Sequence, residues 1–141
     1  MPLMNSGGGA KSMIGLDTGY FLKLLKGDEE ARRIWSAIMD GEEAAVSCLT
    51  IFELARFARK GSIEAEAEKT LREAILGLCR LCWIDCEDVL LAAANLSNGI
   101  GLHAMDALIL SGFLSAKATT IYTTDSDFEM YKKKGIRIIR I

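Results

Sequence analysis

From Met13 onward, short apolar runs alternate with stretches in which apolar residues recur every three or four positions. Runs at 13–16, 44–48, 82–84, 119–123 and 136–141, rich in Ile, Val, Tyr, Thr and Cys, predict five strands. Between them, Ala31, Ile34, Trp35 and Ile38 fall on one face of a helix, as do Ile63, Ala67, Leu71, Ala74, Ile75 and Leu78. Two more helices are predicted at about 88–97 and 102–116, the second apolar on nearly every face and therefore buried. This alternation predicts an α/β fold built on a mostly parallel sheet with helical crossovers.

The 141 residues suffice for one domain, and a chain of this size buries roughly 68% of the surface that its unfolded form exposes. Half the residues are hydrophobic and 26% charged, a balance that excludes intrinsic disorder and fibrous repeats. Residues 1–12, MPLMNSGGGAKS, lack periodicity and read as a flexible leader, or an artificial extension before a natural start at Met13, which leaves 13–141 as the folded domain. The longest apolar run, 89–94, is far shorter than the roughly 20 residues that cross a bilayer, and no signal peptide is legible, so no membrane partner and a cytoplasmic location are expected. Seventeen basic and 19 acidic side chains give a net charge of −2, which excludes a strongly basic nucleic-acid glove but not a local patch or a metal-bridged phosphate. The mean hydropathy of +0.21 is high for a small monomer and points to a second subunit. Cys79, Cys82 and Cys86 have spacings that suit a metal or, more simply, buried thiols at a helix end and a strand start.

Sites in open parallel sheets collect beyond the carboxyl ends of the strands. Four acids are expected at that rim. Asp17 directly follows the first strand and Asp125 the fourth; Glu53 lies in the first turn of the helix after the second strand. Asp106 belongs to the crossover helix that precedes the fourth strand, and its early turns pass over the same edge. Capping is the alternative for three of them: Asp17 and Asp125 as N-caps, Thr50 and Glu53 as a capping box. Asp106, set in AMDALILSGFL well inside a helix, needs no such role, and a buried charge there must be paired with Lys or Arg, protonated or metal-bound. Two carboxylates about 5 Å apart repel by roughly 3 kcal/mol at an effective dielectric near 20. Clustered acids therefore need a raised pKa or a cation, and hard oxygen ligands suit Mg²⁺ or Mn²⁺, which also accept substrate phosphate. Metal-assisted phosphodiester hydrolysis is the chemistry this implies.

At these residues the chain resembles the PIN-domain nucleases, in particular the VapC branch of prokaryotic toxins. The matching pieces are IGLDTGYFLKLL, LTIFELARFAR, LHAMDALILSGFL and IYTTDSDFEMY, in the family's order and covering nearly everything from Met13. The resemblance implies a single PIN-like domain, a five-stranded sheet flanked by helices, and a Mg²⁺- or Mn²⁺-dependent endoribonuclease. It places the family's acids on Asp17, Glu53, Asp106 and, at the fourth and more variable position, Asp125, with Thr123 as the hydroxyl two places earlier. Asp127 is the alternative for that fourth position. An RNA substrate, an antitoxin protein that blocks the metal site and a homodimer are implied as partners.

His103, one turn before Asp106, reads as a polar helix start or, alternatively, a ligand or proton carrier. Arg56, Arg59 and Lys60 follow Glu53 at helical spacing and either steer an RNA backbone or lie solvated. Lys132, Lys133 and Lys134 read as a solvated helix end rather than a binding patch. Three other enzyme classes fit poorly. An aspartic protease shares the Asp17-Thr18-Gly19 triplet but is all-β and needs two such loops; a haloacid-dehalogenase-like phosphatase needs an acid where Gly19 stands; a phosphoacceptor domain needs a Lys near Thr123 and Thr124. The remaining rivals are a non-catalytic PIN-like RNA-binding or assembly module, and a PIN nuclease of RNA processing rather than a toxin.

Overall fold

The computed structural model describes residues 12–141, so all of the expected leader except Ser12 lies outside the described residues. Five strands, β1 (Met13–Leu16), β2 (Ala44–Ser47), β3 (Arg80–Cys82), β4 (Ala118–Thr123) and β5 (Arg137–Arg140), make one sheet in the order β3-β2-β1-β4-β5 with every pairing parallel. The helices are α1 (Thr18–Leu25), α2 (Glu29–Met39), α3 (Cys48–Arg59), α4 (Ala65–Leu78), α5 (Glu87–Ile100) and α6 (Ala104–Ser115), followed by a short 3-10 helix, Ser126–Met130.

Strand alternation divides the core into two layers. Ile14 and Leu16 of β1, with Ala44 and Val46 of β2, pack among Phe21, Ile34, Leu54 and Ile75 from α1 to α4. On the other face Ala45, Ala118 and Ile121 meet Ala93, Leu110 and Phe113 from α5 and α6, and Phe128. Between Ile14 and Leu16 the residue must be small: a Cβ on Gly15 would stand 2.9 Å from the Phe113 ring. Fully burying a side chain such as Phe113 is worth about 1.5–3 kcal/mol, so the missing methyl at 15 makes room for one of the larger contributions to the core.

Two details depart from the sequence reading. The third strand is Arg80–Cys82 rather than 82–84, because its register is set by pairing with Ala45–Ser47, and Trp83 beyond it is 62% exposed. Helix α6 begins at Ala104 with His103 as N-cap, so Asp106 sits in its first turn and not well inside it. The consequence for function comes from strand order. The chain leaves β1 toward β2 and β3, then returns to the opposite side of β1 as β4, which makes the gap beyond the carboxyl ends of β1 and β4 the switch-point crevice where α/β sheets bind ligands.

Candidate active site

Asp17 emerges from β1 into this crevice as the N-cap of α1 and is only 5% exposed. One carboxylate oxygen accepts the Tyr20 amide at 2.8 Å and the other accepts the Thr123 hydroxyl at 2.5 Å. Burial pushes its pKa above the ordinary carboxylate range; hydrogen bonds from Thr123, Tyr20 and the Thr124 backbone pull it back, and nearby Asp125 adds to the rise. The Thr123 hydroxyl, while donating to Asp17, accepts the Asp125 amide at 2.9 Å, so one side chain ties the end of β4, the first acid and the loop that follows. That loop lies against α1 at Gly19, where a Cβ would collide with the Thr124 hydroxyl.

Glu53 reaches the same rim from the second turn of α3. The N-cap of that helix is Ser47, whose hydroxyl accepts the Leu49 amide at 3.1 Å, so the expected Thr50–Glu53 capping box does not form. Instead Glu53 accepts the Thr18 hydroxyl at 2.5 Å, and the Thr18 and Thr50 hydroxyls meet at 2.9 Å in the seam between α1 and α3. Thr18 is a site residue that sequence reasoning missed, because its partner lies 35 residues away on another helix.

The remaining acids crowd together. Carboxylate oxygens of Asp106, Asp125 and Asp127 lie within 4.8 Å of one another, and all three residues are partly buried. Asp125 and Asp127 come from the 3-10 segment, where Asp125 also accepts the Asp127 amide at 2.8 Å. The Asp106 carboxyl is pushed up to about 6, first by burial, then by the charges of Asp125 and Asp127, with His103 opposing the rise and Glu53 adding to it. Among the described residues the ion pairs are Glu30 with Arg33, Glu68 with Arg72 and Glu129 with Arg140, so no Lys or Arg neutralises the crowded acids. Of the four acids expected from the sequence, the structure places Asp106 and Asp125 in this group, joined by the alternative Asp127, while Asp17 and Glu53 stand beside it. The charge of Asp125 adds to the rise at Asp17 and that of Glu53 to the rise at Asp106, which links both flanking acids electrostatically to the trio.

Such a donor set fits a hard divalent cation. Oxygen atoms on opposite sides of an octahedral Mg²⁺ are about 4.2 Å apart, so the observed spacing needs only a slight closure, or a bridging water at one position. The cysteines do not compete for that role. Cys79 ends α4, Cys82 ends β3 and Cys86 precedes α5, and among the described residues no three His, Cys, Asp or Glu side chains other than the aspartate trio come close enough to share an ion. Burial pushes the Cys79 thiol up to about 11 and raises that of Cys82, away from the thiolate a metal requires.

The same architecture recurs in solved structures. A toxin–antitoxin complex from Klebsiella pneumoniae contains a chain 23% identical to this one, with a TM-score of 0.70 over 89% of this chain and 95% of that one. VapBC2 from Rickettsia felis bound to a promoter DNA fragment aligns at 15% identity and a TM-score of 0.72, covering 91% and 98%. Mycobacterium tuberculosis VapC20, a sarcin-ricin loop cleaving toxin, aligns at 19% identity and a TM-score of 0.66, covering 88% and 98%. No curated protein matches the sequence. The profile of the PIN domain matches residues 14–134, and with the acids of that span gathered at one switch-point crevice, the chain belongs to the PIN-domain family.

Proposed function

We propose that the protein is a Mg²⁺- or Mn²⁺-dependent endoribonuclease and the toxin of a toxin–antitoxin pair. The observation that carries this reading is the uncompensated trio Asp106, Asp125 and Asp127 beside a hydrogen-bonded Asp17. Asp106, Asp125 and Asp127 would hold the ion, with Asp17 and Glu53 completing its acidic surroundings. When bound, the ion lowers the pKa of an attacking water and offsets charge on the scissile phosphate. Asp17 is oriented by three donors and keeps its carboxylate aimed at the crevice whether or not a cation is near. Thr18 aligns Glu53 in the same way from the side. Asp106 must shed its proton before it can ligate, and a carboxyl held near 6 is mostly ionised at neutral pH.

The partners proposed are RNA as substrate, an antitoxin protein and a second copy of this chain. The Klebsiella and Rickettsia structures, each containing a toxin with its antitoxin, support the second; exposed Phe52, Trp83 and Leu91 support a covered apolar face. No helix of the described residues is long and apolar enough to cross a membrane. The test is cleavage of a mixed RNA pool with Mg²⁺ or Mn²⁺, repeated with EDTA and with Asp106→Asn. Cleavage that disappears in both controls is expected. Activity surviving both would overturn the metal-nuclease reading, and metal-independent binding without any cleavage would favour the non-catalytic RNA module.

A further inference from the structure

The last eleven residues carry five cations and no carboxylate, a net charge of +5, while the preceding 130 sum to −7. Three of the five, Lys132, Lys133 and Lys134, do not end a helix, contrary to the expectation from sequence. The 3-10 helix stops at Met130, and the lysines enter a turn closed by the Ile136 amide donating to the Lys133 carbonyl at 3.1 Å, with Gly135 at φ +91°. The chain then enters β5, parallel to β4, so this turn lies at the amino edge of the sheet, opposite the acids. There Lys133 and Lys134 line a hollow of about 280 Å³ with Lys117, which precedes β4, and Thr119, the second residue of that strand. Tyr131 and Ile136, both packed on the core, complete it. From Thr119 to Thr123, the partner of Asp17, the strand rises about 13 Å, so the hollow and the crevice are separate places.

The hollow gathers cations and nothing that neutralises them. Among the described residues no carboxylate lines it, and no lysine takes part in an ion pair. Glu129 lines an adjoining depression but is engaged by Arg140 at 3.3 Å. Lys117 adds a backbone argument. Just past the C-cap of α6 it takes φ +64°, where a Cβ crowds the following carbonyl and glycine is the usual occupant, so a cation holds this place at a conformational cost. Thr119 adds a chemical one. Its hydroxyl oxygen is the sole buried side-chain N or O atom among the described residues without a hydrogen-bond partner, a costly condition. We propose that this hollow is a binding site for a phosphate-type oxyanion, carried free or at the end of a small molecule. The lysine ammonium groups meet its charge, and the Thr119 hydroxyl donates to one of its oxygens. The donor set favours phosphate over carboxylate, because lysine acts as a point charge whereas planar carboxylates match the arginine fork, and no arginine lines the hollow. Its volume falls just under the roughly 300–1,000 Å³ of sites that hold drug-sized ligands, which suits a single phosphate group. The site depends neither on the nuclease reading nor on a metal at the crevice.

The experiment follows the amide chemical shifts of the isotope-labelled full chain in EDTA at pH 7, as inorganic phosphate replaces chloride at constant ionic strength. Saturable shifts are expected at Lys117, Thr119 and Lys133 to Ile136, with a Kd of about 1 mM or tighter, while the Asp17 and Asp125 amides stay in place. The double variant Lys133→Ala, Lys134→Ala should weaken binding about tenfold or more, and its spectrum shows directly that it is folded. Arg32→Ala with Arg33→Ala removes the same charge from exposed positions on α2 and should change affinity by less than about twofold. Thr119→Val should weaken binding about threefold or more without lowering the melting temperature of the unliganded chain, because the hydroxyl it removes has no partner there. Adenosine monophosphate and adenosine identify the source of the phosphate. Monophosphate binding as tight as that of inorganic phosphate marks a site for the free ion, tighter binding marks a phosphate end, and adenosine should not bind in either case. Shifts that fail to saturate, full affinity in the lysine variant or in Thr119→Val, or adenosine binding as tightly as its monophosphate would each overturn the site.

Discussion

Two groups of carboxylates share the crevice and are treated oppositely by the fold. Asp17 and Glu53 have their lone pairs engaged by Thr123, Tyr20 and Thr18. Asp106, Asp125 and Asp127 face one another with no cation among the described residues. Burial raises the Asp17 carboxyl while its hydrogen-bond donors pull it part of the way back, whereas burial and the neighbouring acids together push Asp106 up, so the first group carries its own donors and the second awaits something from outside. Positioning and binding are therefore divided between different acids, although all of them lie on one rim.

Several substitutions break or sharpen that division. Asp106→Asn should reduce metal-dependent RNA cleavage by more than about 100-fold, because the trio loses both a ligand and a charge. The same variant, free of metal, should melt about 2–4 °C higher than the parent at pH 7. The sign follows from linkage. Asp106 rises from 3.8 to about 6 on folding, so the native state binds more protons between those values, and this group's contribution to stability is full below about pH 4 and lost as pH rises through 6. Bound metal reverses the preference, since protons and cation compete for one oxygen. The Mg²⁺ or Mn²⁺ affinity, followed by calorimetry, should accordingly fall by about tenfold per pH unit below 6.

Thr123→Val tests the self-sufficient group. It leaves the buried Asp17 short of a donor and should lower stability by about 1–3 kcal/mol in chemical unfolding, with a parallel loss of cleavage. Thr18→Val should have the smallest effect, about 0.5–1.5 kcal/mol and a several-fold drop in turnover, since Glu53 retains partial access to water. A Thr18→Val effect on activity as large as that of Asp106→Asn would erase the distinction between the two groups.

Most of the scaffold was legible because periodicity reports which faces are buried. The alternation of runs and helical stripes anticipated the β1 boundaries and the buried α6, and chain order placed Asp17 and Asp125 beyond adjacent strand ends. What periodicity could not resolve was competition between neighbouring groups for the same role. Thr50 and Glu53 have capping-box spacing, but Ser47 lies closer to the point where β2 releases the chain and takes the cap. Asp127 looked secondary to Asp125 because both sit in one acidic motif, and only the tight 3-10 winding brings both toward Asp106. The partnership of Thr18 with Glu53 spans 35 residues and depends on how α1 leans on α3, a tertiary fact with no local signature.

Gly19 carries no charge, touches no proposed ligand and would be passed over in any inventory of reactive groups. Yet the loop bearing two of the acids rests directly on its bare α-carbon. A single methyl there would drive into the Thr124 side chain, the residue next to Asp125, and the expected outcome is a shift of this loop relative to Asp106. A descendant of this sequence could thus fall silent with every acidic side chain intact, its chemistry undone by one added carbon.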